Sequence, residues 1–154
     1  MILLDADLFM YAAGAEHPNK APAGRFLGRV TSGEVEAAID AETLQEILHR
    51  YRAIRRWDDG RRVYDLARKL VPVVLPVTAP ILDRARDLLD GHPALMARDA
   101  LHAALALEHT GGRICSFDAD FDGIEGVQRT EPGESGPPCP PSGEVDAEPP
   151  PSVE

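Results

Sequence analysis

The sequence is short of the residues that mark secreted, membrane-bound or repetitive proteins. Cysteine occurs twice in 154 residues, at Cys115 and Cys139, and no metal-ligand spacing links the pair. A disulfide framework and a zinc ribbon are therefore not expected, and Cys115, inside an apolar run, reads as a small core residue. No apolar stretch approaches the roughly 18 residues of a membrane span. Asp5 interrupts the N-terminal apolar run at once, so no signal peptide is expected there. A reducing cytoplasm fits this usage. Internal repeats are absent, and lysine appears only at Lys20 and Lys69.

What is present is an ordinary globular composition, 44% hydrophobic and 27% charged, at a length that suits one domain. The formal net charge is -10, but it is unevenly spread. From Glu131 onward there are six acids and no Lys or Arg, which leaves residues 1–130 with 20 acids against 16 bases. Residues 132–154 hold eight prolines, three glycines and no aromatic. Such a segment buries too little apolar surface to offset its ordering entropy, so it is expected to be a disordered, acidic, Pro-rich tail after a domain spanning residues 1–131.

Within that domain, short apolar runs alternate with helical periodicity. Strands are expected over 1–5, 37–39, 73–75 and 113–117, with an edge strand at 127–129. Helices are expected over 7–14, 22–33, 41–56, 60–70, 79–90 and 96–110, with a short turn or helix over 120–124. In the 41–56 segment, Leu44, Ile47, Leu48 and Tyr51 follow the i, i+3, i+4, i+7 pattern. Gly111-Gly112 is a strong stop for the last long helix. The alternation predicts an α/β fold whose central, mainly parallel sheet of about five short strands is covered by helices on both faces.

Four acids stand out by position: Asp5, Glu46, Asp99 and Asp118. Asp5 and Asp118 follow apolar strands, so both should project into the crevice beyond the carboxyl ends of a parallel sheet. Glu46 is one turn inside the helix after the second strand, and Asp99 opens its own helix near the positive dipole end. Gathered carboxylates repel one another, and a hard cation such as Mg²⁺ or Mn²⁺ is the usual relief. Such a site suits phosphodiester hydrolysis, which needs an activated water and charge neutralisation. Taken singly, each acid could equally be a helix cap or a surface charge.

The blocks Leu3-Leu4-Asp5-Ala6-Asp7-Leu8-Phe9-Met10-Tyr11, Leu44-Gln45-Glu46-Ile47-Leu48-His49-Arg50, Arg98-Asp99-Ala100-Leu101-His102-Ala103-Ala104 and Ser116-Phe117-Asp118-Ala119-Asp120-Phe121-Asp122 resemble, in this order, a PIN-domain ribonuclease. More closely, they are similar to the VapC-type toxins of VapBC toxin–antitoxin systems, over residues 1–131. The resemblance implies a Rossmann-like three-layer sandwich and a Mg²⁺- or Mn²⁺-dependent endoribonuclease. It also implies a homodimer, a VapB-like antitoxin that blocks the site, and DNA contact only through that antitoxin. Asp5, Glu46, Asp99 and Asp118 match the metal-binding acids, with Asp120 a further candidate ligand. Asp7 departs from the Asn, Ser or Thr common at its place; it is either a further metal ligand or a cap of the first helix, and the cap is expected. Ser116 either orients Asp118 or the metal water, or is an ordinary strand residue.

Other readings compete with this one. Asp118-Ala119-Asp120-Phe121-Asp122-Gly123 begins like an EF-hand loop, but its twelfth position is Arg129 rather than a bidentate Glu. Asp5-Ala6-Asp7 also resembles the motif of haloacid dehalogenase-like phosphatases, with Asp5 as nucleophile and Asp7 as acid/base. That family needs a later lysine, which neither Lys20 nor Lys69 supplies. A third possibility is a non-catalytic PIN-like module that acts through its partner. His102, three residues after Asp99, is expected to be a hydrogen-bonded core or boundary residue rather than a phosphate contact. Residues 50–69 hold eight of the 16 basic residues, interleaved with Tyr51 and Trp57. Among them Arg50, Arg55, Arg56, Arg61 and Arg62 are expected to form an RNA-binding surface. The tail is expected to be a passive extension. Removing residues 132–154 should leave RNA cleavage and antitoxin affinity unchanged, as measured by cleavage assay and calorimetry.

Overall fold

The computed structural model describes residues 1–133. Almost all of the expected 132–154 tail, and Cys139 with it, lies outside the described residues. The described chain runs β1 (Ile2–Leu4), α1 (Ala6–Ala13), α2 (Lys20–Thr31), β2 (Ala37–Asp40), α3 (Ala41–Ala53) and α4 (Trp57–Leu70). It continues through β3 (Val74–Leu75), α5 (Ala79–Gly91), α6 (Ala97–His109), β4 (Arg113–Cys115), a 3₁₀ turn (Ala119–Gly123) and β5 (Gln128–Thr130).

All five strands are parallel, in the order β3-β2-β1-β4-β5. Leu3 is the pivot of the register, facing Ala38 on one side and Ile114 on the other. The strands are only two to four residues long. They suffice because the central three are buried along nearly their whole length, so each residue serves one core or the other. Ile2, Leu4, Ala37, Ile39 and Cys115 pack under α1 to α4, with Phe9, Phe26, Ile47 and Val63. Leu3, Ala38, Leu75 and Ile114 pack under α5 and α6, with Ala100, Leu105 and Phe121. This is the period-2 alternation of a sheet covered on both faces. Among the described residues no helix is long and apolar enough to cross a membrane.

Some boundaries differ from those expected. The helix expected over 41–56 stops at Ala53, because Arg55 adopts a left-handed conformation (φ 58°). The N–H of Arg56 then reaches back to the Tyr51 carbonyl (2.9 Å) and that of Arg55 to Arg52 (3.1 Å). This is the helix-closing loop usually built on glycine, and an arginine in that place gives no sequence signal. α4 accordingly starts at Trp57 rather than at 60.

The stop after α6 does use glycine. Gly111 and Gly112 have φ of 62° and 81°. At Gly111 a Cβ would meet open space, whereas at Gly112 it would land on the Gly126 carbonyl oxygen. That close approach lets Gln128 donate to the Gly112 carbonyl (2.8 Å) as β5 enters beside β4. Gly111→Ala should therefore cost about 1–2 kcal/mol, the left-handed penalty alone. Gly112→Ala should cost about 2–4 kcal/mol, since overpacking adds to it. Denaturant unfolding of both variants measures the difference.

Candidate active site

The strand order reverses direction at β1, between β2 and β4. At such a switch point the flanking connections leave on opposite faces and open a crevice beyond the strand ends. Three neighbouring strands each deliver a polar side chain there: Asp40 ends β2, Asp5 follows β1, and Ser116 follows β4. All three are buried.

Asp5 is the N-cap of α1, with extended backbone (φ -75°, ψ 155°). Its carboxylate accepts from the Ala6 N–H (2.6 Å) and from the Ser116 hydroxyl (2.6 Å). Burial nevertheless pushes its pKa up, and the charge of Glu46 adds to the effect. Because Asp5 takes the cap, the expectation that Asp7 caps α1 is wrong. Asp7 sits inside the first turn and crosses to the end of β4, where its carboxyl accepts from the Phe117 N–H (2.9 Å) and meets Ser116 Oγ (3.1 Å). Burial, and then the charge of Asp5, push the Asp7 pKa to about 8. Ser116 has a single hydroxyl proton for two carboxyls, and the shorter contact is to Asp5. Asp7 is thus biased toward its neutral form. The Ser116 oxygen also accepts from the Asp118 N–H (3.0 Å), so this serine ties three acidic residues together.

Glu46 comes from α3, which Asp40 caps by accepting from the Thr43 N–H (2.7 Å). The His102 imidazole holds Glu46 below the usual carboxylate range, helped by Arg98, whose Nη1 lies 3.2 Å from Glu46 Oε1. Asp99 lies in the first turn of α6. Burial, then the charges of Asp118 and Asp5, raise its pKa to about 6. Asp118 and Asp120 are exposed on the 3₁₀ turn, where Asp118 accepts from the Asp120 N–H (2.9 Å).

The five acids singled out by sequence therefore fall into two adjoining groups. Donor atoms of Asp5, Glu46 and His102 all lie within 4.8 Å of one another, as do those of Asp99, Asp118 and Asp120. A divalent cation suits this set. Three of the donors, Asp5, Glu46 and Asp99, are carboxylates raised by burial or held by a cation, and two buried polar atoms, Asp7 Oδ1 and His102 Nε2, have no hydrogen-bond partner among the described residues. The phosphatase arrangement does not form. Asp7 is tied to β4 instead of standing free over Asp5, and Lys20 is spent on the Gly14 carbonyl (2.8 Å).

A groove of about 600 Å³ leads away from the acids between α1 and α3, lined by Tyr11, His17, Glu46, Arg50, Arg56 and Arg98 among others. Tyr11 stacks on His17 with centroids 4.6 Å apart. The structure splits the expected arginine surface. Arg50 and Arg56 line the groove, whereas Arg55, Arg61 and Arg62 do not. Arg61 lies over Trp57 (6.0 Å), and Arg62 faces Asp59 (3.6 Å).

Sequence reasoning missed Asp40 and Arg98. Asp40 carried the same signal as Asp5, an acid ending a short apolar strand, and Ala37-Ala38-Ile39-Asp40 could have been flagged by it. Arg98, adjacent to Asp99, had no comparable signal.

The PIN-domain family profile matches residues 2–127. Ribonuclease VapC13 of Mycobacterium tuberculosis is 43% identical over 129 residues, covering 84% of this chain and 98% of its own length. Among solved structures, M. tuberculosis VapC20, a sarcin-ricin-loop-cleaving toxin, superposes with a TM-score of 0.68 at 18% identity, over 82% of this chain and 97% of its own. A toxin–antitoxin complex from Klebsiella pneumoniae gives a TM-score of 0.61 at 19% identity, over 83% of this chain and 96% of its own.

The raised acids set a pH dependence. Asp7 and Asp99 bind protons more tightly folded than unfolded, so each favours the folded state when protonated and loses that contribution as pH rises through its folded pKa, about 6 for Asp99 and about 8 for Asp7. His102 acts in the same direction, since burial opposes its protonation but Asp40 and Glu46 outweigh that. Metal-free protein should accordingly melt higher at pH 5.5 than at pH 8.5, and added Mn²⁺ should narrow the gap, as read by calorimetry in EDTA and in Mn²⁺.

Proposed function

The chain belongs to the PIN-domain family, among the VapC ribonucleases, and on that premise we propose that it is a metal-dependent endoribonuclease, the toxin of a type II toxin–antitoxin pair. The observation that carries this reading is the gathering of Asp5, Glu46, Asp99 and Asp118 at the sheet's switch point, beside a groove with basic and aromatic walls. The relatives' ribonuclease name agrees with it.

In this reading Asp5, Glu46, Asp99 and Asp118, with Asp120 beside them, hold Mg²⁺ or Mn²⁺. When bound, the ion neutralises charge on the phosphoryl group and acidifies the attacking water. The protein does the rest. Arg98, Arg50 and Arg56 take RNA phosphates along the groove, and the Tyr11–His17 stack offers a face to an unpaired base. Ser116 keeps Asp5 turned toward the metal position while anchoring the backbone that carries Asp118. Asp7, carrying its own proton, braces α1 against β4 without adding a further negative charge. A VapB-like antitoxin would lie in the same groove and compete with RNA. The chain would act in the cytoplasm as a homodimer and meet DNA only through that antitoxin.

The test is cleavage of total RNA by the purified chain, with new 5′ ends mapped. Cleavage should require Mg²⁺ or Mn²⁺, stop in EDTA, and fall by more than about a hundredfold in Asp5→Asn and Asp99→Asn, exceeding the losses typical of outer-shell changes. Arg50→Gln/Arg56→Gln should flatten the salt dependence of cleavage, whereas Arg61→Gln/Arg62→Gln should not. Full activity in either folded Asp variant would rule the mechanism out.

A further inference from the structure

We propose that the Asp5–Glu46 half of the site is a mixed nitrogen–oxygen metal site: Asp5, Glu46 and Nε2 of His102 bind one first-row transition ion, and Asp40 is the positioning residue that aims the imidazole at it. The inference rests on reading the crevice as a divalent-metal centre and specifies which atoms hold the ion.

His102 lies on α6 one turn beyond Asp99 and is only 1% exposed. Its Nδ1 is 2.7 Å from Asp40 Oδ2. Asp40 is completely buried, and its other oxygen accepts from the Thr43 N–H (2.7 Å). The carboxylate is therefore fixed by the helix it caps, and the ring is fixed by the carboxylate. Nδ1 is taken by Asp40, so a bound ion would displace any proton on Nε2 and use that nitrogen's lone pair. This is the carboxylate–histidine–metal relay of metalloproteins, in which the outer carboxylate sets the tautomer and orientation of the ligand.

The other end of the ring has no hydrogen-bond partner among the described residues. Nε2 stands 3.8 Å from Glu46 Oε2, too far for a hydrogen bond. Two donors about 2.1 Å from a common ion are separated by about 3–4 Å, so 3.8 Å fits a shared ligand. An Asp5 oxygen completes the group within 4.8 Å.

The donor chemistry separates the two halves of the crevice. Asp99, Asp118 and Asp120 offer oxygen alone, which suits Mg²⁺ as well as Mn²⁺. The His102 group offers a nitrogen, which Mg²⁺ uses poorly and transition ions accept readily. The competing arrangement is an imidazolium that keeps its Nε2 proton and serves Glu46 as a permanent countercharge.

Electron spin-echo spectroscopy of the full-length chain loaded with Mn²⁺, prepared with ¹⁴N- and ¹⁵N-histidine, decides between them. A histidine nitrogen coupling should appear in the wild type and vanish in His102→Gln. Mn²⁺ affinity in that variant should fall by about 10–100-fold, while Mg²⁺ affinity stays near the wild-type value. Asp40→Asn, which keeps the shape but not the charge, should weaken Mn²⁺ by about tenfold. If His102→Gln does not fold, the wild-type spectrum still decides. Bound Mn²⁺ without nitrogen coupling, or coupling that persists in folded His102→Gln, overturns this inference and leaves the metal-centre reading standing. Absence of Mn²⁺ binding overturns both.

Discussion

Mutual repulsion among carboxylates is the constraint around which this site is built. Asp5, Asp7, Asp40, Glu46, Asp99, Asp118 and Asp120 converge on one crevice, and Asp5 and Asp40 are buried. Like charges at such spacing in a low dielectric cannot all persist unaided. The protein answers differently for each. Asp5 is given two donors, Asp40 an imidazole and a backbone N–H, and Glu46 a guanidinium. Burial and the Asp5 charge bias Asp7 toward its protonated form. Asp118 and Asp120 stay in solvent.

These remedies come from the backbone that delivers the acids. In an all-parallel sheet every strand end points the same way, so neighbouring strands β2, β1 and β4 bring Asp40, Asp5 and Ser116 side by side. The helices that begin there add N–H groups aimed at the same place. Asp5 and Asp40 each cap the helix that follows their own strand. Capping therefore serves two purposes. It satisfies helix ends, and it fixes carboxylates in the orientation the site uses. The apolar faces on either side only have to keep those strand ends aligned. Strands of two to four residues achieve this because Leu3, Ala38 and Ile114 interlock under α6 while Leu4 and Ile39 interlock under α1 and α3.

Most of the framework was legible from the sequence because it rests on local signals. Apolar runs ending in Asp marked strands, and the spacing of Leu44, Ile47 and Tyr51 marked α3. The Gly111-Gly112 stop predicted the end of α6. What escaped depended on partners distant in sequence. Asp7 was expected to be a cap, a common role of Asp at a helix start. Its real partners, Ser116 and Phe117, lie more than a hundred residues away. The arginine cluster looked like a single surface, but Arg50 and Arg56 line the groove, Arg61 covers Trp57, and Asp59 pairs with both Arg56 (2.8 Å) and Arg62 (3.6 Å). His102 was rightly expected to be a buried, hydrogen-bonded residue, yet its free nitrogen could not be inferred without knowing that Asp40 takes the other one.

That pair also bears on why the crevice is asymmetric. A buried Asp–His pair is a poor device for stability alone, since well-packed apolar residues of equal volume generally serve as well or better. What the pair provides is orientation, because Asp40 immobilises the ring from behind while Nε2 projects toward Asp5 and Glu46. The other half joins half-buried Asp99, in the first turn of α6, to Asp118 and Asp120, which are exposed on a five-residue 3₁₀ turn. One half of the site is thus oriented by buried partners and the other stands at the solvent edge. A phosphodiester entering along the groove would meet Glu46 and Arg98, already paired at 3.2 Å, in its wall.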